Sequence, residues 1–307
     1  MKWQTIVEAG ELTPKINYKD KITLVGSCFA SEIGGIMGNL RFNSVTNPLG
    51  VMFNPASVAN TLTRIEDCTF FTNEDAFENG GVYKSFYHGS EFASNTIEGF
   101  LDSNNKLLER ASSHFRESKF VVITLGTSWA YVNKFFGKVV SNCHKLPASD
   151  FDRVFLTHEE SFALLAPIIE RNNDKEWIIT VSPVRHLKDG ALGNQVSKAN
   201  LIILANRLES HFKNVTYFPA YEIFMDELRD YRFYASDMVH PSIDAVRYVW
   251  ERFRSFSISG DCDHKIKMVE SLNAMKNHKV LFPDTAEYYM FLKKIEELEN
   301  KISKLEV

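Results

Sequence analysis

The sequence predicts an α/β protein in which one parallel β-sheet is covered by helices on both faces. Short apolar runs occur at KITLVG (Lys21 to Gly26), KFVVITLG and WIITVS, and none shows the polar alternation of a strand with one wet face. Helical patterns separate these runs, which is the order expected when parallel strands are joined by crossover helices. With 44% hydrophobic and 24% charged residues, the chain can bury one large core.

The elements of the first half follow in order along the chain. A helix runs from the first strand to about Leu40, and RFNSVT is read as a second strand. The segment NPASVANTLTRI is a helix, with Asn54 as its cap and Pro55 in its first turn. From Cys68 to Gly99 the pattern dissolves into aromatic, Gly- and Asn-rich sequence, so we expect an insertion over residues 68–99. A helix near Asn104 to Glu117 then leads into KFVVITLG.

The second half continues the alternation. The segment GKVVSN is read as a short edge strand, and Thr157 with Glu160 forms a capping box that opens the next helix. The remaining elements are the strand WIITVS, a helix from about Asn194 to Phe212, the strand NVTYF, a helix at YEIFMDEL and a last helix from Pro241 to about Phe256. We therefore assign a domain to residues 1–257.

Residues 258–307 are read as a C-terminal helical extension. Its apolar side chains recur at a/d spacing among Glu and Lys, at Tyr288, Phe291, Ile295, Leu298, Ile302 and Leu305. This pattern fits a helix packed on its own domain, and it also fits a seam between two copies of the chain, although the run is under three heptads. A homodimer through this helix is kept as the second interpretation.

Composition excludes several classes of function. A net charge of -4 without a basic stripe argues against nucleic acid as a partner. The apolar runs are too short to cross a bilayer, and the first residues lack the apolar segment of a signal peptide, so we expect a cytoplasmic protein. The four cysteines form no CxxC pair, which argues against a disulfide framework and a zinc site. We expect no metal and no cofactor.

Ser27 is the first residue with a chemical interpretation. In VGSCFAS it follows the first strand directly, where the next helix begins. A serine there caps the helix by accepting backbone N–H bonds, or it acts as a nucleophile in the positive field of the helix N-terminus. On its own, the cap is the simpler interpretation.

Asp237 and His240 change that balance. They lie three residues apart in SDMVHPS, just before the last helix of the domain. In a turn, this spacing lets the carboxylate reach one imidazole nitrogen while the other nitrogen faces a cleft. A serine hydroxyl needs such a base to take its proton, and the base needs its tautomer fixed. We therefore expect Ser27, His240 and Asp237 to act together.

Several blocks of the chain resemble the GSCFA family, a branch of the SGNH hydrolases. Besides the name-giving motif in VGSCFAS, the similar blocks are NPLGVMFNP, LGTSWAY, NCHKLP, TVSPVRH and DMVHPS, spread over about Ile22 to Phe256. The resemblance implies a flavodoxin-like α/β/α fold. It also implies that Ser27 is the nucleophile, His240 the base and Asp237 the residue that orients the base.

The oxyanion hole departs from the wider SGNH pattern. Where the superfamily has a Gly-x-Asn whose amide donates to the oxyanion, this sequence has GTS, so Ser128 stands in place of asparagine. The resemblance points to backbone N–H groups of Ser27 and Gly50 as two donors. The third is Asn47 or Ser128, and the fixed plane of an amide favours Asn47.

The resulting expectation is a serine ester hydrolase that passes through an acyl-serine intermediate. Cys28 is expected to be a small buried thiol. By resemblance, His144, Arg185 and His186 contact substrate, and the preferred substrate is an acetylated carbohydrate or another small ester. Two alternatives stay open, an O-acyltransferase and a non-catalytic module that binds a ligand on the same fold.

Overall fold

The computed structural model describes residues 4–279, 282–283 and 285–305, so parts of both predicted units, residues 1–3, 280–281, 284 and 306–307, lie outside the described residues. Strands in the described chain are β1 (Lys21–Gly26), β2 (Asn43–Thr46), β3 (Phe77–Glu78), β4 (Tyr83–Lys84), β5 (Phe120–Leu125), β6 (Trp129–Asn133), β7 (Val139–Val140), β8 (Phe151–Phe155), β9 (Glu176–Val181) and β10 (Val215–Phe218). Five of them form one parallel sheet in the order β2-β1-β5-β9-β10. Counted along this sheet alone, that is the 2-1-3-4-5 order of flavodoxin-like folds.

The helices are α1 (Cys28–Asn39), α2 (Pro55–Asp67), α3 (Ile97–Glu117), α4 (His158–Arg171), α5 (Gly190–His211), α6 (Ala220–Glu222), α7 (Ile243–Ser257), α8 (Asp263–Lys276) and α9 (Ala286–Ser303). Two predicted starts are confirmed by their caps. Asn54 Oδ1 accepts a hydrogen bond from Ser57 N at 2.9 Å, and Thr157 forms a capping box with Glu160. None of the described helices is long and apolar enough to cross a membrane.

Both faces of the sheet are buried, which confirms the predicted three-layer α/β/α fold. In β5, Phe120 and Val122 belong to one core cluster, and Val121 and Ile123 belong to the other. The first cluster packs the sheet against α1, α7 and α8, and the second packs it against α2, α3, α4 and α5. The uninterrupted apolar runs of the strands therefore follow from burial on two sides.

Several boundaries differ from the sequence prediction. The helix expected from Asn104 begins at Ile97, because Thr96 caps it by accepting from Gly99 N at 3.0 Å. The helix expected from Asn194 begins at Gly190. Its first turn is rich in glycine and shows no helical spacing of apolar residues, so the sequence pattern did not reveal the true start. The expected helix YEIFMDEL is one α-turn, α6, followed by a π-helix over Ile223–Glu227.

A small antiparallel sheet was not predicted. It consists of β7, β6 and β8 in that order and is inserted between β5 and α4. Only the edge strand at GKVVSN was predicted for this region, and it corresponds to β7. Five-residue strands such as β8, with Asp152 and Arg153 exposed in its middle, carry too little periodicity to be recognised alone. The predicted insertion contains the hairpin of β3 and β4 and ends where α3 begins.

The C-terminal helices pack on the same core as α1. Ile266, Val269 and Leu272 of α8 are fully buried in it. On α9, Ile302 is buried and Ile295 and Leu298 pack against the same cluster. Glu299 also pairs with Arg41 at 3.0 Å and with Lys276 at 2.9 Å. Contacts within one chain thus explain the a/d positions Ile295, Leu298 and Ile302. The homodimer stays a prediction.

We expect Ile302→Ala to lower the free energy of unfolding by about 2 kcal/mol or more, because it removes a buried side chain. Leu305→Ala is the matched control, since Leu305 is 50% exposed and its truncation costs within about 0.5 kcal/mol. Urea denaturation of both variants, with the mass measured by light scattering, provides the test. Equal losses in the two variants together with a dimeric mass would contradict this packing and favour a seam between two chains.

Candidate active site

Ser27 lies at the carboxyl end of β1, where the backbone takes a conformation that needs glycine at the preceding position. Gly26 has φ +148°, and a Cβ there would lie 2.2 Å from Thr124 O of β5. Ser27 caps α1, with its Oγ accepting from Phe29 N at 3.3 Å. Among the described residues, no protein group accepts the hydroxyl proton. Ser27 is only 1% exposed.

Asp237 and His240 form a compact turn. Asp237 Oδ2 lies 2.7 Å from His240 Nδ1, while Oδ1 accepts the backbone N–H groups of Val239 at 2.9 Å and His240 at 3.0 Å. The hydrogen bond from the His240 side chain, aided by these two N–H groups, lowers the pKa of Asp237 to about 2. An ionised carboxylate thus fixes Nδ1 as the donor and leaves Nε2 as the acceptor. Both side chains are about half exposed.

The loop after β9 joins this turn to the sheet. Arg185 N donates to Val239 O at 3.1 Å, and Arg185 Nη1 donates to Met238 O at 3.1 Å. Arg185, predicted to contact substrate, therefore holds the Asp237–His240 turn through two hydrogen bonds. No hydrogen bond joins Ser27 and His240 among the residues that the structure describes. Their elements are adjacent, but a serine–base contact is not made in this arrangement.

His186 reaches the space between these groups. If Gly126 carried a side chain, its Cβ would lie 3.3 Å from His186 Nε2 and 3.4 Å from Ser27 Cβ. The side chains of His186 and Ser27 therefore both border the space above Gly126. His186 Nε2 is buried and has no hydrogen-bond partner among the residues that the structure describes. Burial first, and then the charge of Lys198, lower the pKa of His186 to about 4. The imidazole is therefore neutral at pH 7.

Lys198 of α5 was missed by the sequence analysis. Its fully buried Nζ donates to Gly126 O at 2.7 Å and to Ser182 O at 2.6 Å, which ties the ends of β5 and β9 together. Burial lowers its pKa to about 7. A signal was available, since Lys198 lies three residues before the buried Leu201, on the core-facing side of the helix.

The predicted backbone oxyanion donors are engaged elsewhere. Ser27 N–H donates to Thr124 O at 3.0 Å, and Gly50 N–H donates to Asn47 O at 2.8 Å. Both bonds hold the loops at the ends of strands. Neither N–H group is free to bind a developing negative charge in this arrangement.

The predicted side-chain donors do not fit that role either. Asn47 Oδ1 accepts from Gly26 N at 2.8 Å, and its Nδ2 donates to Ser31 Oγ at 2.8 Å, so the amide braces the turn below Ser27. Ser128 Oγ donates to Ser197 O at 3.0 Å, and it accepts from an asparagine of α5. The Ser128 hydroxyl is directed into the interface with α5, because a buried hydroxyl takes the nearest acceptor.

His144 is a structural residue. Its Nε2 lies 2.6 Å from Ser85 O and its Nδ1 lies 3.2 Å from Ser90 Oγ, so both ring nitrogens are used within the protein. The ring is buried and holds the loop after β7 against the insertion. The expectation that His144 contacts substrate does not fit this position.

A cleft of about 570 Å³ is lined in part by Cys28, the chain neighbour of Ser27, and by His186. The inserted sheet supplies Trp129 and Tyr131, and the Arg153 guanidinium lies 4.1 Å from the centroid of the Trp129 ring. Arg153 also pairs with Asp189. The walls thus combine aromatic faces with charged and hydrogen-bonding groups, which is the composition of a site for a polar, ring-containing small molecule.

Cys28 also lines this cleft, next to Ser27. Its pKa is raised, mainly by burial, so the thiol is protonated at neutral pH and is a poor nucleophile. Among the described residues, no group of three or more His, Cys, Asp or Glu side chains is placed to hold a metal ion. Of the side chains described here, the Ser27 hydroxyl with the Asp237–His240 turn best fits a nucleophile and its base.

Comparison with known proteins gives a family for this arrangement. The model of the GSCFA family matches residues 21–253, a range that includes Ser27, Asp237 and His240. No curated protein matches the chain. Since the match covers most of the chain, the protein belongs to the GSCFA family.

Proposed function

We propose that this protein is a serine-dependent ester hydrolase of the SGNH type. The observation that carries the proposal is the Asp237–His240 turn, in which an ionised carboxylate fixes the imidazole tautomer and leaves Nε2 as an acceptor. A hydroxyl without a proton acceptor, that of Ser27, lies at the adjacent helix N-terminus. Nucleophile, base and orienting carboxylate are the parts that acyl transfer requires.

The reaction has two halves. His240 Nε2 takes the proton of Ser27 as Oγ attacks the ester carbonyl, and the alcohol leaves with that proton when the tetrahedral intermediate collapses. Water then attacks the acyl-serine with the same base, and Ser27 leaves as the hydroxyl. Throughout, Asp237 stabilises the transient imidazolium.

Formation of the serine–base contact needs a rearrangement. Ser27 is buried and His240 is about half exposed, and among the described residues the two side chains share no hydrogen bond. Catalytic hydrogen bonds are often long before substrate binds and tighten in the complex. We propose that an ester in the cleft brings the turn toward Ser27 and admits only a small acyl group to the buried hydroxyl.

The cleft favours a carbohydrate as the alcohol part of the ester. Trp129 and Tyr131 place aromatic rings in the cleft wall, and Arg153 and Lys188 lie against those rings, so the wall offers cationic hydrogen-bond donors beside aromatic surface to the hydroxyl groups of a sugar. An acetylated sugar is thus the preferred substrate. Transfer of the acyl group to a sugar hydroxyl in place of water uses the same machinery.

A binding module without catalysis is the second candidate. The observation in its favour is that Ser27 is buried and, among the described residues, makes no hydrogen bond to His240. Such a module would retain the cleft while its serine stays unreactive, so covalent labelling of Ser27 distinguishes the two functions.

We expect a fluorophosphonate probe to add its mass to Ser27, because only an activated serine reacts with such a reagent. Ser27→Ala should abolish labelling and lower turnover of a short acetyl ester about 1,000-fold or more. Cys28→Ala is the matched control and should be labelled as the wild type is. Peptide mass spectrometry and steady-state kinetics measure both effects. An unlabelled wild type without esterase activity would favour the binding module.

We also expect Asp237→Asn to lower turnover about 100- to 10,000-fold at pH 7 to 8, because the amide no longer fixes the tautomer or stabilises the imidazolium. Since the pKa of Asp237 is lowered to about 2, the carboxylate stays ionised down to about pH 3, and its protonation contributes nothing to the rate profile above about pH 4. Asp244→Asn, at an exposed site on α7, is the control. Wild-type turnover in Asp237→Asn would remove Asp237 from the mechanism.

A further inference from the structure

The proposed reaction needs a hydrogen-bond donor that the known motifs do not supply. A tetrahedral intermediate carries a full negative charge on oxygen, which must be met by donors aimed at it in advance. The N–H groups of Ser27 and Gly50 and the hydroxyl of Ser128 all donate within the protein. Asn47 braces the turn below Ser27 with both ends of its amide.

Among the described residues, the His186 side chain lies where a donor to the oxygen of the intermediate is needed. Its Nε2 is buried without a partner and reaches the same space above Gly126 as Ser27 Cβ. Buried polar atoms are nearly always hydrogen-bonded. We therefore expect His186 Nε2, which lies near Ser27, to form its hydrogen bond with a group that is present only when substrate is bound. An ester oxygen above Gly126 would be such a group.

The backbone that carries His186 is fixed, and its ring packs against one aromatic neighbour. His186 N donates to Asn194 Oδ1 at 2.9 Å, and the imidazole meets the Phe53 ring edge to face with the centroids 6.0 Å apart. Lys198 fixes the loop before it through Ser182 O and fixes the floor through Gly126 O. A donor placed in this way costs little reorganisation when charge develops.

We propose that His186 donates its Nε2–H to the oxygen of the tetrahedral intermediate formed on Ser27. The inference rests on the proposed function and names the side-chain oxyanion donor, the role that asparagine has in the wider SGNH pattern. As the bond from Ser27 Oγ to the carbonyl carbon forms, the π electron pair of the carbonyl moves onto its oxygen. The Nε2–H of His186 donates a hydrogen bond to that oxygen. When the alcohol leaves, the double bond returns and no proton leaves His186.

A role as base fits His186 less well than a role as donor. Within the described part of the chain no carboxylate is hydrogen-bonded to its ring, and the nearby Asp189 pairs with Arg153. Burial keeps the imidazole neutral, with a pKa of about 4, which makes it a weak base and retains one N–H for donation. His240, with its bonded Asp237, has the features of a base.

The test compares three substitutions of His186. His186→Ala removes the donor, His186→Met fills a similar volume without a donor, and His186→Gln places an amide N–H near the position of Nε2. Turnover and KM are measured on phenyl acetate, together with the rate at which the fluorophosphonate labels Ser27. His211→Ala, at the exposed end of α5, is the control, and circular dichroism checks folding.

We expect kcat to fall about 100- to 1,000-fold in the Ala and Met variants with KM changed less than twofold. The Gln variant should recover at least tenfold, and the labelling rate of Ser27 should fall in parallel. A raised KM with unchanged kcat would make His186 a substrate contact and overturn the proposal. Loss of activity in all three variants, with the pH dependence of kcat/KM abolished, would make it the base and would also overturn it.

Failure of this inference is separable from failure of the proposed function. If Ser27 is labelled and its Ala variant is inactive, while His186→Met behaves as wild type, the hydrolase stands and the donor is wrong. If wild-type Ser27 is neither labelled nor active toward esters, the hydrolase itself is wrong, and the proposed role of His186 fails with it.

Discussion

The carboxyl edge of the sheet depends on one buried ammonium group. Lys198 Nζ, on α5, donates to carbonyl groups that follow β5 and β9, so a single side chain sets the spacing between two loops. One of these loops passes Ser27, and the other leads to His186 and, through Arg185, to the Asp237–His240 turn. Burying an amine is costly, as the lowered pKa of Lys198 indicates. Its two carbonyl acceptors offset that cost where the loops must meet.

Local chemistry determined what could be predicted from the sequence. Strands β1, β5 and β9 were foreseen because burial on both faces leaves an apolar run, whereas the edge strand β2 is exposed or half-buried. The Asp237–His240 hydrogen bond follows from a spacing of three residues in a turn, which sequence displays directly. The helix cap at Ser27 was visible for the same reason.

The rest of the site depends on contacts between distant segments. Ser128 stands where the superfamily motif has asparagine, but its hydroxyl bonds to α5, 69 residues further along the chain. His186 becomes notable only because Gly126, from another strand, leaves room beside it. In the sequence Lys198 resembles a surface lysine. Its burial is apparent only when its position on α5 is compared with the core-facing residues of that helix. Pairings of this kind have no local signature, so the motif blocks name Ser27, Asp237 and His240 as candidates but do not reveal that the predicted donors hydrogen-bond within the protein.

The two insertions lie outside the sheet, yet they form much of the cleft wall. Trp129, Tyr131 and Arg153 come from the small antiparallel sheet between β5 and α4, whereas Ser27, His186 and His240 come from loops at the edge of the main sheet. In the proposed hydrolase, the reactive groups and the cleft-lining side chains therefore occupy different stretches of chain. A change in length or sequence between Trp129 and Phe155 would then alter which molecule fits without disturbing the strands that hold the proposed reactive groups. Under this proposal, specificity can evolve separately from the chemistry.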